Sequence, residues 1–278
     1  MLLDPRINAF RADLAAEHLR GKVDAQRFVA GRALEVVEPI AAVRRAASHT
    51  AALDTQALMG ERVTVYERTQ EGWAWGQLAS DGYVGWLSAN ALGLPGPEPT
   101  HKVIALRTLG FPAPDIKLPP AVALPMGARV AVANEDERFA ITTAGVHLPV
   151  KHLAPLDSSV SDFVAVAERF LGSPYLWGGK TSLGIDCSGL VQVALQAAGI
   201  DCPRDSDMQA QGLRMAVPLD ALKRGDLVFW KGHVAIARDH DTLVHANAHQ
   251  MMVAIEPVGA ALARIQAAGT PLIGVKRL

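Results

Sequence analysis

The stretch "GIDCSGLVQVALQAAGI", Gly184 to Ile200, places a cysteine between an aspartate and a serine at the head of an apolar run. Two histidines follow downstream: His233 in "HVAIA" and His245 in "LVHA", with the polar "RDHD" between them. The run predicts a helix that opens at Cys187, is capped by Asp186 or a neighbour, and stops at Gly199. A thiol in the first turn of a helix meets unsatisfied backbone N–H groups and the positive end of the macrodipole, which favour the thiolate. The same N–H groups could cradle an oxyanion. A turn centred between Asp239 and His240 sets His233 opposite His245 or Ala246. Opposed residues on one face have Cβ atoms ~4.5–5.5 Å apart, so His245 can orient the ring of His233. Nucleophile, base and orienting group make a complete arrangement for acyl transfer. The same cysteine and two histidines are also a zinc set, and each occurs elsewhere as an ordinary core residue. Spacing alone leaves these readings open. His240, His249 and Cys202 are read as residues without chemistry.

Several elements must position these side chains. "SVSDFVAVAERFLGSPY" predicts a helix capped by Ser161, carrying Phe163, Val166, Ala167 and Phe170, and stopped by Gly172 and Pro174. After the Cys187 helix come strands at Leu227–Trp230, His233–Ala237, Leu243–Ala246 and Met251–Ile255. A helix around Ala260–Ala268 and a strand at Leu272–Val275 complete an α+β domain. Upstream, "GERVTVYERTQEGWAWGQLASDGYVGWLSANAL" alternates apolar and polar residues between turns at Glu71-Gly72 and Asp81-Gly82, the pattern of a small antiparallel barrel. The Pro/Gly-rich "GLPGPEPTHK" is a linker. A weaker copy follows it, with Gly127-Ala128-Arg129-Val130-Ala131-Val132 echoing Gly60-Glu61-Arg62-Val63-Thr64-Val65. At the front, Phe10, Leu14 and Leu19 predict a helix ended by Gly21.

The 278 residues are 50% hydrophobic and 20% charged, with a formal net charge of −1. There is thus no overall basic field to favour nucleic acid or an anionic membrane. No apolar run approaches the length of a membrane span. "MLLDPRINAF" has no secretory core, so the chain is expected in the cytoplasm. Two cysteines there do not form a disulfide framework.

The ordered set P-Y-x-W-G-G, D-C-S-G, R-x-S-x-x-Q, G-D-L-x-F and H-V-x-I, from "PYLWGG" to "HVAI", resembles the NlpC/P60 family of papain-like cysteine peptidases. The preceding modules resemble bacterial SH3 domains. The layout, with the opening "LDPRINAFRADLA", is similar to γ-D-glutamyl-L-diamino acid endopeptidases of murein-peptide recycling. The resemblance implies an α+β, papain-like catalytic domain over 156–278, after a helical segment (1–30) and two SH3-like β-barrels (31–95 and a degenerate 100–155). It implies Cys187 as nucleophile, His233 as base, His245 as the third member and Tyr175 beside the thiolate. Glu61, Tyr83, Asp186, Ser188 and Ser206 would bind the substrate, with Glu61 and Asp186 reading the free ammonium of an N-terminal L-Ala. Arg204 would brace the Ser206 loop. The second barrel, lacking the aromatic residues of the first, would be a spacer. No cofactor or metal is implied, and the partner would be a murein peptide, not nucleic acid or membrane. The alternatives are an exported hydrolase of intact peptidoglycan and a non-catalytic SH3 binding protein.

Overall fold

The computed structural model describes residues 3–212 and 215–278. The chain divides into two compact units, Met1–Leu156 and Asp157–Leu278.

The first unit is β-rich and repeats itself. In the first copy, Arg32–Val36 pairs with both Arg62–Arg68 and Leu92–Gly93, Ile40–Arg44 pairs with Leu53–Leu58, and Trp73–Leu78 lies between Arg62–Arg68 and Val84–Ser88. These strands form one seven-stranded sheet. In the second copy, His101–Val103 pairs with both Arg129–Val130 and Leu153–Pro155, Arg107–Gly110 pairs with Val122–Pro125, and Phe139–Thr142 lies between Val132–Glu135 and His147–Pro149. A 3-10 turn precedes the last strand in each, Ala89–Ala91 and Val150–His152. Even the single bridge between Arg44 and Trp86 has its counterpart between Phe111 and His147. The repeat expected from the Gly-x-Arg-Val-x-Val sequence therefore extends to strand order and pairing. Each copy has its own core, one around Leu34, Val43, Val63, Leu78 and Leu87, the other around Val103, Leu124, Ala128, Ala140 and Leu148.

Gly60 and Gly127 occupy equivalent turns at φ +81° and +90°, where a side chain is strained. The two turns touch: the Arg129 N–H donates to the Met59 carbonyl at 2.8 Å. A Cβ on Gly60 would overlap the Arg129 carbonyl oxygen, and one on Gly127 would press on Leu58.

The expected N-terminal helix is absent among the described residues, and Met1 and Leu2 lie outside them. Leu14–Ala16 is a strand paired in parallel with Arg27–Val29, and Glu17–Leu19 is a single 3-10 turn. Leu14, Ala15 and Ala16 are all fully buried, which a one-faced surface helix would not do. Tertiary packing overrides propensity here. Ala9, Leu14, Ala16 and Leu19 cover Trp75 and Val84 on the first copy's sheet. The Arg11 guanidinium lies 4.3 Å from the Trp75 ring centre and ion-pairs with Glu67 at 2.6 Å.

The second unit carries helices α1 (Phe163–Glu168), α2 (Cys187–Ala197), α3 (Ser206–Gly212) and α4 (Val258–Ala267). Its sheet has six strands in the spatial order Met215–Val217, Leu272–Arg277, Leu227–Trp230, His233–Ala237, Thr242–Asn247, Met252–Pro257. Side chains alternate across it. Val228, Trp230, Ala235, Ala237, Leu243 and Val275 pack with Ala261 and Ile265 of α4. The opposite set includes Val234, Ile236 and Val244, and α2 lies against their strands. The α1 cap is Asp162, not Ser161: its Oδ1 accepts from the Val164 and Ala165 N–H groups. A carboxylate reaches both donors and suits the helix dipole.

Candidate active site

Cys187 is the first residue of α2, and Asp186 is the cap. The helix is buried from Cys187 to Leu195, so a nucleophile at its start is anchored by a core element. It ends at Ala197, with Gly199 at φ +73° satisfying the expected stop. The Asp186 Oδ1 accepts the Gly189 N–H at 2.7 Å, and Oδ2 accepts the Gly178 N–H at 2.7 Å. Arg204 completes the set, donating to Oδ1 at 3.0 Å and Oδ2 at 2.7 Å. The same guanidinium reaches the Ser188 hydroxyl at 2.9 Å and the Gly179 carbonyl at 3.3 Å.

Arg204 is 1% exposed and grips Asp186 and Ser188, so it braces the head of the nucleophile's helix. The Asp186 carboxylate is buried, capped onto α2 and neutralised by Arg204, so its charge is already spent inside the fold. An ammonium would have to compete with a bidentate guanidinium for it. Ser188 is buried in the same network, whereas Ser206, at the start of α3, is half-buried.

Glu61 and Tyr83 belong to the first unit. Neither is a surface residue: they are 5% and 5% exposed. Glu61 precedes the Arg62–Arg68 strand, its backbone hydrogen-bonded to Leu58 and Val36. Tyr83 packs in the first copy's core beside Leu78 and Leu87.

The two histidines meet. His233 Nε2 and His245 Nδ1 are 2.9 Å apart, with ring centres separated by 5.1 Å. The route differs from the expected direct opposition. Ile236 pairs with Val244 and Ala237 with Leu243, so continuing the register sets His233 opposite Asn247. His245 is its diagonal neighbour, a separation that imidazole rings span. The backbone N–H of Val234, next to His233, lies within electrostatic reach of the Cys187 sulfur and lowers its pKa, which ties the start of this strand to the thiol. Tyr175 lies within electrostatic reach of Cys187 and Asp186. Trp230, on the adjacent strand, tilts against His233 at 5.6 Å between ring centres.

Two further residues complete the cluster, and the sequence reading missed both. His245 Nε2 is 3.0 Å from Glu256 Oε2, and Arg264 of α4 holds that carboxylate at 2.9 and 2.6 Å. The available signal was a lone glutamate in the apolar "MVAIEPV", on the same face as His245 by its register.

Burial dominates the electrostatics. Together with the Asp186 carboxylate it pushes the Cys187 thiol up to about 12, against the pull of the Val234 and Ser188 N–H groups and Arg204. Burial and then His245 press His233 down to about 3. Burial also presses His245 down to about 4, although Glu256 opposes this. Burial raises the Tyr175 phenol, as do the charges of Cys187 and Asp186, so it stays a hydrogen-bond donor. Burial thus favours the neutral thiol and neutral imidazoles and opposes the thiolate that the helix start favours. Desolvation outweighs the dipole. Both ring nitrogens of His245 are engaged in hydrogen bonds.

Residues 172–264 match the NlpC/P60 family, and residues 43–92 match the bacterial dipeptidyl-peptidase Sh3 domain. The chain carries an NlpC/P60 domain preceded by a bacterial SH3 domain. It is 31% identical over 196 residues to the gamma-D-glutamyl-L-lysine dipeptidyl-peptidase of Bacillus subtilis, an alignment covering 64% of each protein. It is 26% identical over 244 residues to the gamma-D-glutamyl-L-lysine dipeptidyl-peptidase of Bacillus cereus, covering 74% of this chain and 71% of that one. The crystal structure of an NlpC/P60 family protein from Bacillus cereus superposes with a TM-score of 0.75 at 21% identity, covering 88% of this chain and 99% of that one. The last likeness concerns the fold. The NlpC/P60 match holds Cys187, His233, His245 and both newly found residues, Glu256 and Arg264.

Proposed function

We propose that this protein is a cysteine peptidase that hydrolyses the bond between γ-D-glutamate and a diamino acid in murein peptides. The catalytic unit is papain-like, and both β modules are bacterial SH3 modules, the second a spacer. The observation that carries the reading is the hydrogen-bonded His233–His245 pair on a strand whose next N–H lies within electrostatic reach of the Cys187 sulfur. The choice of bond is supported by the names of the two Bacillus relatives.

The chemistry follows from a neutral pair. As the sulfur attacks the γ-carbonyl carbon, the thiol proton passes to His233, and His245 takes up the orienting bond to the resulting imidazolium. The oxyanion is met by N–H groups at the start of α2 and by the Tyr175 hydroxyl. Collapse expels the diamino acid amine, which takes the proton from His233 and leaves a thioester on Cys187. Water, deprotonated by His233, hydrolyses the thioester and restores the thiol. No step needs a cofactor.

Selection for a free N-terminal L-Ala, and hence for released murein peptides handled in the cytoplasm, is part of the proposal. Glu61, a carboxylate of the first unit that is 5% exposed, is its candidate reader of the ammonium. The test is a mass-spectrometric digest of L-Ala-γ-D-Glu-diaminopimelate and its N-acetyl derivative. The wild type is expected to release diaminopimelate from the free peptide alone, and Cys187→Ala to release none. Cleavage by Cys187→Ala would end the peptidase assignment, and equal cleavage of both peptides would end the amine selection.

A further inference from the structure

Glu256 and Arg264 extend the histidine pair into a chain of four groups. His245 is fully buried as a side chain and engages partners through both ring nitrogens, His233 at Nδ1 and Glu256 at Nε2. Glu256 receives two hydrogen bonds from Arg264, which hold it well below the usual carboxylate range. An ionised carboxylate can only accept. His245 must therefore carry its proton on Nε2. A neutral ring with Nε2–H has a bare Nδ1, which accepts from His233. His233 must in turn carry its proton on Nε2, and its Nδ1 is left as the basic nitrogen. Each tautomer follows from the one before, and the series starts at Glu256.

We propose that Glu256, fixed by Arg264, is a positioning residue that sets the tautomers of His245 and His233 and so leaves His233 Nδ1 free to take the thiol proton. The proposal rests on the peptidase reading. It makes α4 part of the catalytic apparatus, although no residue of α4 touches the thiol through any bond described above. Without the carboxylate, His245 can hold its proton on Nδ1 and donate to His233 Nε2. The His233 proton then moves to Nδ1, and the base is blocked. Water at a vacated Glu256 site could not reproduce the effect, because water donates as readily as it accepts.

The charged and titratable groups around this relay are Glu256 from the last hairpin strand, Arg264 from α4, and Cys187, Asp186, Arg204 and Tyr175 on the thiol side. Among them Arg264 bears on the histidines' protonation without touching either ring. Losing it would free Glu256 to pair with a protonated His245.

The experiment reads tautomers and rates in the full chain. With 15N-labelled histidine, NMR at neutral pH should show both His233 and His245 protonated on Nε2 in the wild type. Glu256→Ala should shift a substantial share of His245 to the Nδ1–H form. On the γ-D-glutamyl peptide it should lower kcat at least tenfold with KM within about twofold. Arg264→Lys, which keeps a cation on the carboxylate but not its two-point grip, should retain more activity than Arg264→Leu, which should also move the acid limb of kcat to higher pH. Where Glu256→Ala loses its fold, the Glu256→Leu, Arg264→Leu double variant keeps the volume, removes every acceptor from His245 Nε2 and leaves no unpaired cation. A wild-type His245 protonated on Nδ1 overturns the proposal, as does a folded Glu256 variant with unchanged tautomers and kcat. If the wild type cuts no γ-D-glutamyl peptide, the peptidase reading fails, while the tautomer measurement still decides the relay.

Discussion

Methionine in place of Arg204 would leave the Asp186 carboxylate buried, with two backbone N–H donors and no cation. At least four hydrogen bonds go with the guanidinium: two to Asp186, one to Ser188 and one to the Gly179 carbonyl. Removing one partner of a buried ion pair costs about 3–5 kcal/mol, because the remaining charge stays desolvated. The retained Gly178 and Gly189 N–H bonds and the apolar stem of methionine place the expectation at the lower end, about 3 kcal/mol. With a urea dependence of about 1–3 kcal/mol per molar, the midpoint of the catalytic unit should fall by at least about 1 M. The assay is urea unfolding followed by circular dichroism, in a cycle of wild type, Arg204→Met, Asp186→Asn and the double variant. The double variant should recover part of the loss, since it buries no unpaired charge. Iodoacetamide labelling of Cys187 in the folded variant should also slow, because Arg204 lowers the thiol's pKa. A midpoint unmoved by Arg204→Met, or single losses that simply add in the double variant, would refute the idea that this pair holds the head of α2.

Two further outcomes follow from the same site. His233 and His245 are held below the ordinary imidazole value, so protonation stops the base only in distinctly acid solution. The acid limb of kcat/KM should lie well below pH 6.5, and activity should persist on the alkaline side until the thiol ionises. An acid limb at an ordinary imidazole value would show that burial does not govern the pair. Gly189→Ala adds a methyl group that would overlap the Gly179 carbonyl oxygen and crowd Asp186 Oδ1, so kcat should fall at least tenfold and thermal stability with it; an unaffected variant would mean that this cap tolerates displacement.

What the sequence revealed was local. The strands at Leu227–Trp230 and His233–Ala237 lie where alternation placed them, and α2 begins at Cys187 and gives way at Gly199. Caps, alternation and glycine punctuation act over a few residues, so they are legible without a fold. The misreadings arose where distant partners decide. The Leu14–Ala16 segment is a strand because the sheet around Trp75 covers it. His245 reaches His233 diagonally because the hairpin register is one step from the one assumed. Arg204 and Asp186 are 18 residues apart, so a cap and a loop brace were legible but not the ion pair that joins them. The thiol's elevated pKa also belongs to this class, since desolvation is a property of the assembled core.

The two β modules touch through their own equivalent turns, and this ties the fates of sister segments together. At Gly60 the space for a side chain is taken by the backbone of Arg129, whose counterpart in the first copy is Arg62. Gly60 is thus constrained twice, by its own positive φ and by its duplicate's backbone. Elsewhere the second copy has exchanged aromatic residues for smaller ones without losing a strand. Along this seam, however, a change in either copy is felt by both, so drift there must proceed in matched pairs. A chimaera that transplants one module without its partner's turn would inherit a vacancy at Leu58–Gly60, and only a similarly shaped backbone could fill it.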